Sequence, residues 1–291
     1  MPAPYKKTSI NLKINNVMKK IFLSIAVLTA AALWTGCEPI VDKHDAGGGI
    51  AATELQATAT AVVQNGKNSN KVYVHCTSPV LCQWSDGVNT LAATEGYLTL
   101  LLTGEQTITL TAKTADGATL TKSFPVNVEE LTEPVDPVYG QLFGAGEKTW
   151  TWASSDCFGN GGDSDNGPAW WVLQPTEMAD QCSGKKLPAD GKGATMKFVL
   201  NGKQMTKVTT DGQTFAGRLT FDMSAGKEGW SVGTITFANT NILCGYDFND
   251  ATFSAWSTYN IISIDDNRMV LGAQEHDPNS NYWYWVFVPV P

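Results

Sequence analysis

Charge is scarce in this chain. Only 16% of its 291 residues are Asp, Glu, Lys or Arg, and it has three histidines. Two of these are poorly placed for catalysis: His44 lies in a glycine-flanked stretch and His75 in an alternating strand-like run. That leaves His276 alone, too little for a Ser/His/Asp or Cys/His arrangement, and no Gly-x-Ser-x-Gly occurs. No Cys-x-x-Cys or Cys/His spacing suggests zinc. The glycines of "GQLFGAG" lack the strand-to-helix context of a phosphate loop. Outside the N-terminus no long stretch repeats apolar residues at i, i+3 and i+4, which argues against a helical bundle.

What is present favours strands. The chain is 43% hydrophobic, enough for one or two cores, and rich in Gly, Thr, Ser, Val and aromatic residues. The expectation is all-β, with short alternating runs separated by turn residues.

"MKKIFLSIAVLTAAALWTGC" runs from Met18 to Cys37: two lysines, an apolar run to Leu33, then small residues. This order reads as a secretory signal, and the apolar run is short for a membrane span of about 20 residues. Residues 1–17 read as an upstream extension. The stretch Leu33-Trp34-Thr35-Gly36-Cys37 resembles a bacterial lipobox, although Trp34 stands where an apolar residue is usual. The resemblance implies a lipid on Cys37, a membrane anchor and an outer-membrane location. Removing residues 1–36 removes five lysines and no acid, leaving 15 basic against 28 acidic side chains. A surface near −13 repels phosphate backbones, so nucleic acid is not an expected partner.

Residues 37–53 carry three consecutive glycines and no periodicity, and read as a flexible tether. Residues 54–128 hold several short alternating runs, among them a hairpin over 106–128 around Asp116-Gly117. Trp84-Ser85-Asp86-Gly87 and that hairpin resemble the PKD domain, an immunoglobulin-like β-sandwich. The resemblance implies that Trp84 packs between sheets and that the module is a spacer or adhesion unit. Residues 129–139, with Pro134 and Pro137, form a linker.

Residues 140–291 hold eight of the ten tryptophans and about ten candidate strands, including 251–256 and 282–288. That count suggests a larger jelly-roll-like β-sandwich. "GEKTWTW" (146–152) and "GNGGDSDNGPAWW" (159–171) resemble the C-terminal domains of lipoproteins encoded with gut-bacterial polysaccharide-utilisation systems. The resemblance implies handling of a polysaccharide or host glycan at the cell surface.

The aromatic residues supply the chemistry for such a role. Sugar rings expose apolar C–H faces that lie flat on aromatic rings, while nearby Asp, Asn and Gln bind the hydroxyls. Trp150/Trp152 and Trp283/Trp285 are i, i+2 pairs, each pair on one face of a strand, and the competing reading is that both fill the core. The aromatics are too many for one sandwich interior, so some are expected at the surface. The expected ligand set is Trp170 and Trp171, with Tyr282 and Tyr284 second and Asp163 and Asp165 at the rim. Trp283, Trp285 and Phe287 are expected to point inward.

Asp156, Asp163 and Asp165 in "DCFGNGGDSDNGP" form a lesser candidate for calcium. The pattern is not an EF-hand, and no cofactor is expected. Five cysteines remain besides Cys37. Cys76 lies near Cys82 in sequence, Cys157 and Cys182 flank the glycine-rich loop and could staple it, and Cys244 reads as a small buried residue. Two-sheet glucanases of the laminarinase type carry a Glu-x-Asp-x-(x)-Glu strand, which this chain lacks, and Glu147, Glu177, Glu228 and Glu275 show no such pairing. The leading expectation is therefore a carbohydrate-binding, non-enzymatic lipoprotein. An adhesion or protein-interaction lipoprotein with a protein partner is the alternative, and a glycoside hydrolase comes third.

Overall fold

The computed structural model describes residues 49–250, 252–276 and 281–291. The signal segment, Cys37 and most of the tether lie outside the described residues. Gly49–Pro291 form one compact unit. Among the described residues no helix is long and apolar enough to cross a membrane.

The chain is predominantly β. Its first part has seven strands: β1 (Ala57–Gln64), β2 (Lys67–Cys76), β3 (Leu81–Ser85), β4 (Thr90–Leu91), β5 (Glu95–Thr99), β6 (Gly104–Lys113) and β7 (Thr119–Val128). They form a three-stranded sheet, β1-β2-β5, and a four-stranded sheet, β4-β3-β6-β7. Alternation dictates which side chains are buried. Val72, Val74 and Leu98 from the first sheet meet Trp84, Ile108, Leu110 and Val126 from the second in one cluster. Trp84 is fully buried, and its indole N–H donates to the Ala93 carbonyl at 3.1 Å.

A short helix, Val138–Phe143, leads into the second part. There follow β8 (Glu147–Trp152), β9 (Phe158–Gly161), β10 (Trp171–Leu173), β11 (Thr195–Val199), β12 (Gln204–Val208), β13 (Thr214–Asp222), β14 (Gly233–Ala238), β15 (Thr258–Ile264), β16 (Met269–Gln274) and β17 (Tyr282–Pro289). A second short helix, Met178–Gly184, lies between β10 and β11. The sequence predicts a jelly-roll-like pair of sheets here, and the structure differs. The ten strands form one antiparallel sheet, in which β11 to β17 follow one another as a meander. β17 pairs with β16 along its length and with β8 through Phe287–Pro289, so eight strands close into a barrel-like ring. The first half of β17 pairs instead with β9, which carries β10 as an outer edge. The physical reason is that consecutive strands pair antiparallel until the last meets the first. Short turns join β11 to β12, β12 to β13 and β15 to β16, longer loops join the rest, and closure removes the exposed edges that an open sheet would leave.

The inner face of β17 carries Trp283, Trp285 and Phe287, which are buried as expected. The outer face corrects the expectation: Tyr282 and Tyr284 are buried too, at 4% and 0% exposure, and do not look into solvent. Trp230 lies over Tyr282 edge-on at 4.9 Å, Lys227 Nζ donates to the Tyr282 hydroxyl at 3.1 Å, and the Tyr284 hydroxyl donates to the Gly162 carbonyl at 2.5 Å. Burial holds the Tyr284 hydroxyl well above the ordinary phenol range. The second aromatic face is thus a platform that the 161–170 loop and the turn before β14 cover.

Four tryptophans are sealed inside with acceptors for their indole N–H groups, one from the first short helix and three from loops. Trp150, Trp152, Trp283 and Trp285 donate from Nε1 to Leu142 O, Asp190 O, Asp247 Oδ1 and Cys244 O respectively, all within 3.1 Å. A buried indole without an acceptor would lose part of its transfer gain, which is about 4–6 kcal/mol for 150–250 Å².

The strand expected at 251–256 is absent among the described residues. The Asp250 carboxylate accepts from Thr252 N and Oγ1 and from Ser254 N, which curls the segment into a turn. The five described cysteines are free, so the staple between Cys157 and Cys182 is not formed. Cys182 Sγ lies instead 3.6 Å from Cys244 Sγ.

Leu102 of the first part belongs to the barrel's core cluster, and Gly202 N donates to Gly87 O at 2.7 Å. The two parts therefore touch within one compact unit.

Candidate functional site

β9 and β10 create the site. Trp171 pairs with Asn160, and Asn160 collects the returning chain: its carbonyl accepts from Ala169 N and Trp170 N, and its side-chain Oδ1 accepts from Trp171 N at 3.1 Å. The close approach needs Gly159. A Cβ there would stand 2.0 Å from the Trp171 carbonyl oxygen.

Trp170 and Trp171 face opposite ways, as neighbours on an extended chain must. Trp170 is 62% exposed and lies over Gly162. Trp171 is 39% exposed and rests on an aromatic base. It meets Phe248 at 6.4 Å, Phe158 at 6.4 Å and Trp283 at 6.0 Å, while Phe158 stacks on Trp283 at 5.1 Å with 10° between planes. Phe158 and Trp283 are buried, while Phe248 is half-buried and Trp171 is the most exposed ring of the set.

Beside that ring lies a recess lined by Trp171, Phe248, Asn160, Asn249, Gln181 and Lys185, with Trp283 as its floor. Lys185 Nζ sits 4.6 Å over the Phe248 ring and donates to Gln181 Oε1 at 2.8 Å. Asn249 Nδ2 donates to Glu275 Oε1 at 2.7 Å. Asp247, itself buried, holds the loop in place: Oδ1 accepts from Asn249 N and Trp283 Nε1, and Oδ2 from His276 N and Nδ1. His276 in turn stacks on Trp256 at 4.8 Å. Both Asp247 oxygens are thereby occupied, so it serves as an organiser of the recess. A second recess, lined by Trp152, Gln174, Pro175 and Lys192 among others, offers no exposed ring face, because Trp152 is buried.

The expected site residues are thus only partly together. Trp170 and Trp171 are exposed, while Tyr282 and Tyr284 lie beneath the covering loop and cannot reach a ligand. Asp163 is exposed. Asp165 turns inward, its Oδ2 accepting from Gly162 N at 2.7 Å and its carbonyl from Trp230 Nε1 at 2.9 Å. Asp156 is paired with Gln174 instead. The three aspartates therefore do not converge, and among the described residues no group of three or more His, Cys, Asp or Glu could hold a metal ion. The glutamates have separate commitments: Glu147 to Lys197, Glu177 to Gln174 N and Glu275 to Asn249.

Phe248, Asn249, Gln181, Lys185 and Asn160 were not legible as site residues. They come from three segments with no shared motif. The one sequence signal was the polar "DFND" (247–250) beside an aromatic, which reads as an ordinary turn.

No protein-family profile matches the chain, and no curated protein matches it in sequence. Among solved structures it is similar to the SGBP-B protein of the Bacteroides ovatus mixed-linkage glucan utilization locus, a structure in complex with a mixed-linkage heptasaccharide. The identity is 13% and the TM-score 0.20, over 77% of this chain and 66% of that one, just under two thirds of its length. At that TM-score the similarity carries no structural argument.

Proposed function

We propose that the protein binds carbohydrate through Trp171 and the recess beside it. The observation that carries this reading is a half-exposed indole on a largely buried aromatic base, bordered by the amides of Asn160, Asn249 and Gln181 and the ammonium of Lys185. A sugar ring laid on Trp171 removes apolar surface from water on both sides, worth roughly 1–3 kcal/mol. The amides offer donors and acceptors at the ring's edge. The base is pre-formed, so little ordering is needed on binding.

In this reading the chain is a cell-envelope lipoprotein anchored through Cys37, with the PKD-like part as spacer and the outer membrane as its location. It is a binding protein without catalytic function. The exposure of Trp170 beside Trp171 also suits a protein interface, and the two ligands separate experimentally. Affinity electrophoresis against plant and host polysaccharides, followed by calorimetry with oligosaccharides, tests the proposal. Retardation by at least one glycan, lost in Trp171→Ala, is expected. No retardation by any glycan overturns it.

A further inference from the structure

Lys207 on β12 points into the barrel, and its side chain is 1% exposed. Burying a charged lysine costs several kcal/mol unless its partners are well placed. Three acceptors surround Nζ: Asp190 Oδ2 at 3.0 Å, Asn241 Oδ1 at 3.1 Å and the Ile242 carbonyl at 3.4 Å. The Phe215 ring covers the amine at 5.1 Å. Asp190 is equally buried. Its Oδ2 also accepts from Cys244 N at 2.9 Å, while Oδ1 has no hydrogen-bond partner among the described residues. Asn241 donates from Nδ2 to the Gly245 carbonyl at 3.1 Å, which leaves its carbonyl oxygen on the amine side. A buried amine and a buried carboxyl group therefore meet a half-buried carboxamide.

We propose that Lys207 and Asn241 become joined by an intramolecular isopeptide bond, with Asp190 carrying the protons. Burial pushes the Asp190 carboxyl above the usual carboxylate range against the opposing pull of Lys207. One proton passes from the Lys207 ammonium to Asp190, which frees the lone pair on Nζ. A turn of the Asn241 carboxamide presents Cγ to that lone pair. Nζ attacks Cγ while the Asp190 carboxyl protonates the carbonyl oxygen. Asp190 then takes a proton from Nζ and delivers it to Nδ2. The Cγ–Nδ2 bond breaks, the carbonyl reforms as its proton returns to Asp190, and ammonia leaves. The net change is amine plus carboxamide to secondary amide plus ammonia, with no oxidant or cofactor required. Fixed proximity substitutes for a catalyst, and excluded water keeps hydrolysis from competing.

The bond ties β12 to the loop that carries Cys244, Asp247, Phe248 and Asn249, and so fixes one wall of the recess from behind. It is independent of what the recess binds.

The test is the mass of the purified, denatured full chain, followed by peptide mapping after incubation of the folded protein at neutral pH. The expected result is a chain lighter than its sequence by one ammonia and a branched tryptic peptide joining Lys207 to Asn241. Asp190→Asn and Asn241→Ala should each restore the sequence mass. Recovery of Lys207 and Asn241 in separate unmodified peptides overturns the proposal. A lost ammonia without the branched peptide, as from cyclisation at an Asn-Gly pair elsewhere, overturns it too. The wild-type result decides the matter even if a variant fails to fold, and it needs no sugar.

Discussion

Trp171 meets Trp283 edge to face, with ring centroids 6.0 Å apart and 88° between planes. One indole is 39% exposed and the other 1%. The two rings thus differ in role although they touch. Trp171→Ala should weaken oligosaccharide binding about tenfold or more, while the melting temperature moves by about 4 °C or less. Trp283→Ala removes a floor ring and one of the hydrogen bonds to Asp247, and should cost about 3–5 kcal/mol of stability. Calorimetric titration and thermal melts on both variants check the division.

Gly159 holds the site by having no side chain. Adding a Cβ 2.0 Å from the Trp171 carbonyl must push β10 away from β9. Gly159→Ala should therefore abolish measurable binding and alter the near-ultraviolet tryptophan signal. The barrel does not depend on β10 for closure, so the loss of stability should stay within about 1–3 kcal/mol. Binding retained at wild-type affinity would show that the β9–β10 geometry does not matter.

The Asp250 carboxyl is held well below the usual range, first by the Ser254 hydroxyl and then by Thr252 N–H and hydroxyl. Its folded value lies below its unfolded value, near 3.8. The stabilisation is therefore complete above the unfolded value and is lost as pH falls through the folded one. Asp116, Asp211 and Asp222 are lowered in the same direction by Thr and Ser side chains. Melting temperatures should be flat above about pH 5 as far as these groups are concerned, and fall below it. Asp250→Asn should make that acid limb shallower, which a series of melts in matched buffers would measure.

Burial pushes the Cys157 thiol up to about 12 and the Cys82 thiol up to about 11. Neither supplies thiolate at neutral pH, so the folded chain should resist alkylation at both and react only on unfolding. With an added disulfide reagent, any internal cross-link in the barrel should join Cys182 to Cys244, whose sulfurs lie 3.6 Å apart. Peptide mapping that found Cys157 joined to Cys182 would contradict the arrangement.

Much of this was legible locally. The alternating runs at 71–76, 106–113 and 282–288 became β2, β6 and β17, because a period of two is set by backbone geometry alone. The inward set Trp283, Trp285 and Phe287 followed from the same alternation, and the buried position of Trp84 from the resemblance of residues 84–87 and the hairpin. The exposed positions of Trp170 and Trp171 follow from the polar, glycine-rich loop that precedes them.

Sequence thus determined the all-β character, the strand faces and the crowding of aromatic residues. Tertiary structure decided whether the sheet closed, and with it what the crowding meant. Closure gave β17 a barrel interior on one side, and the 161–170 loop and Trp230 covered the other, so Tyr282 and Tyr284 are hidden. The recess depends on Asn160, Gln181, Lys185, Phe248 and Asn249 meeting across segments far apart in the chain. No local pattern encodes that meeting, because it arises only when long-range strand pairing brings the loops to one end of the fold.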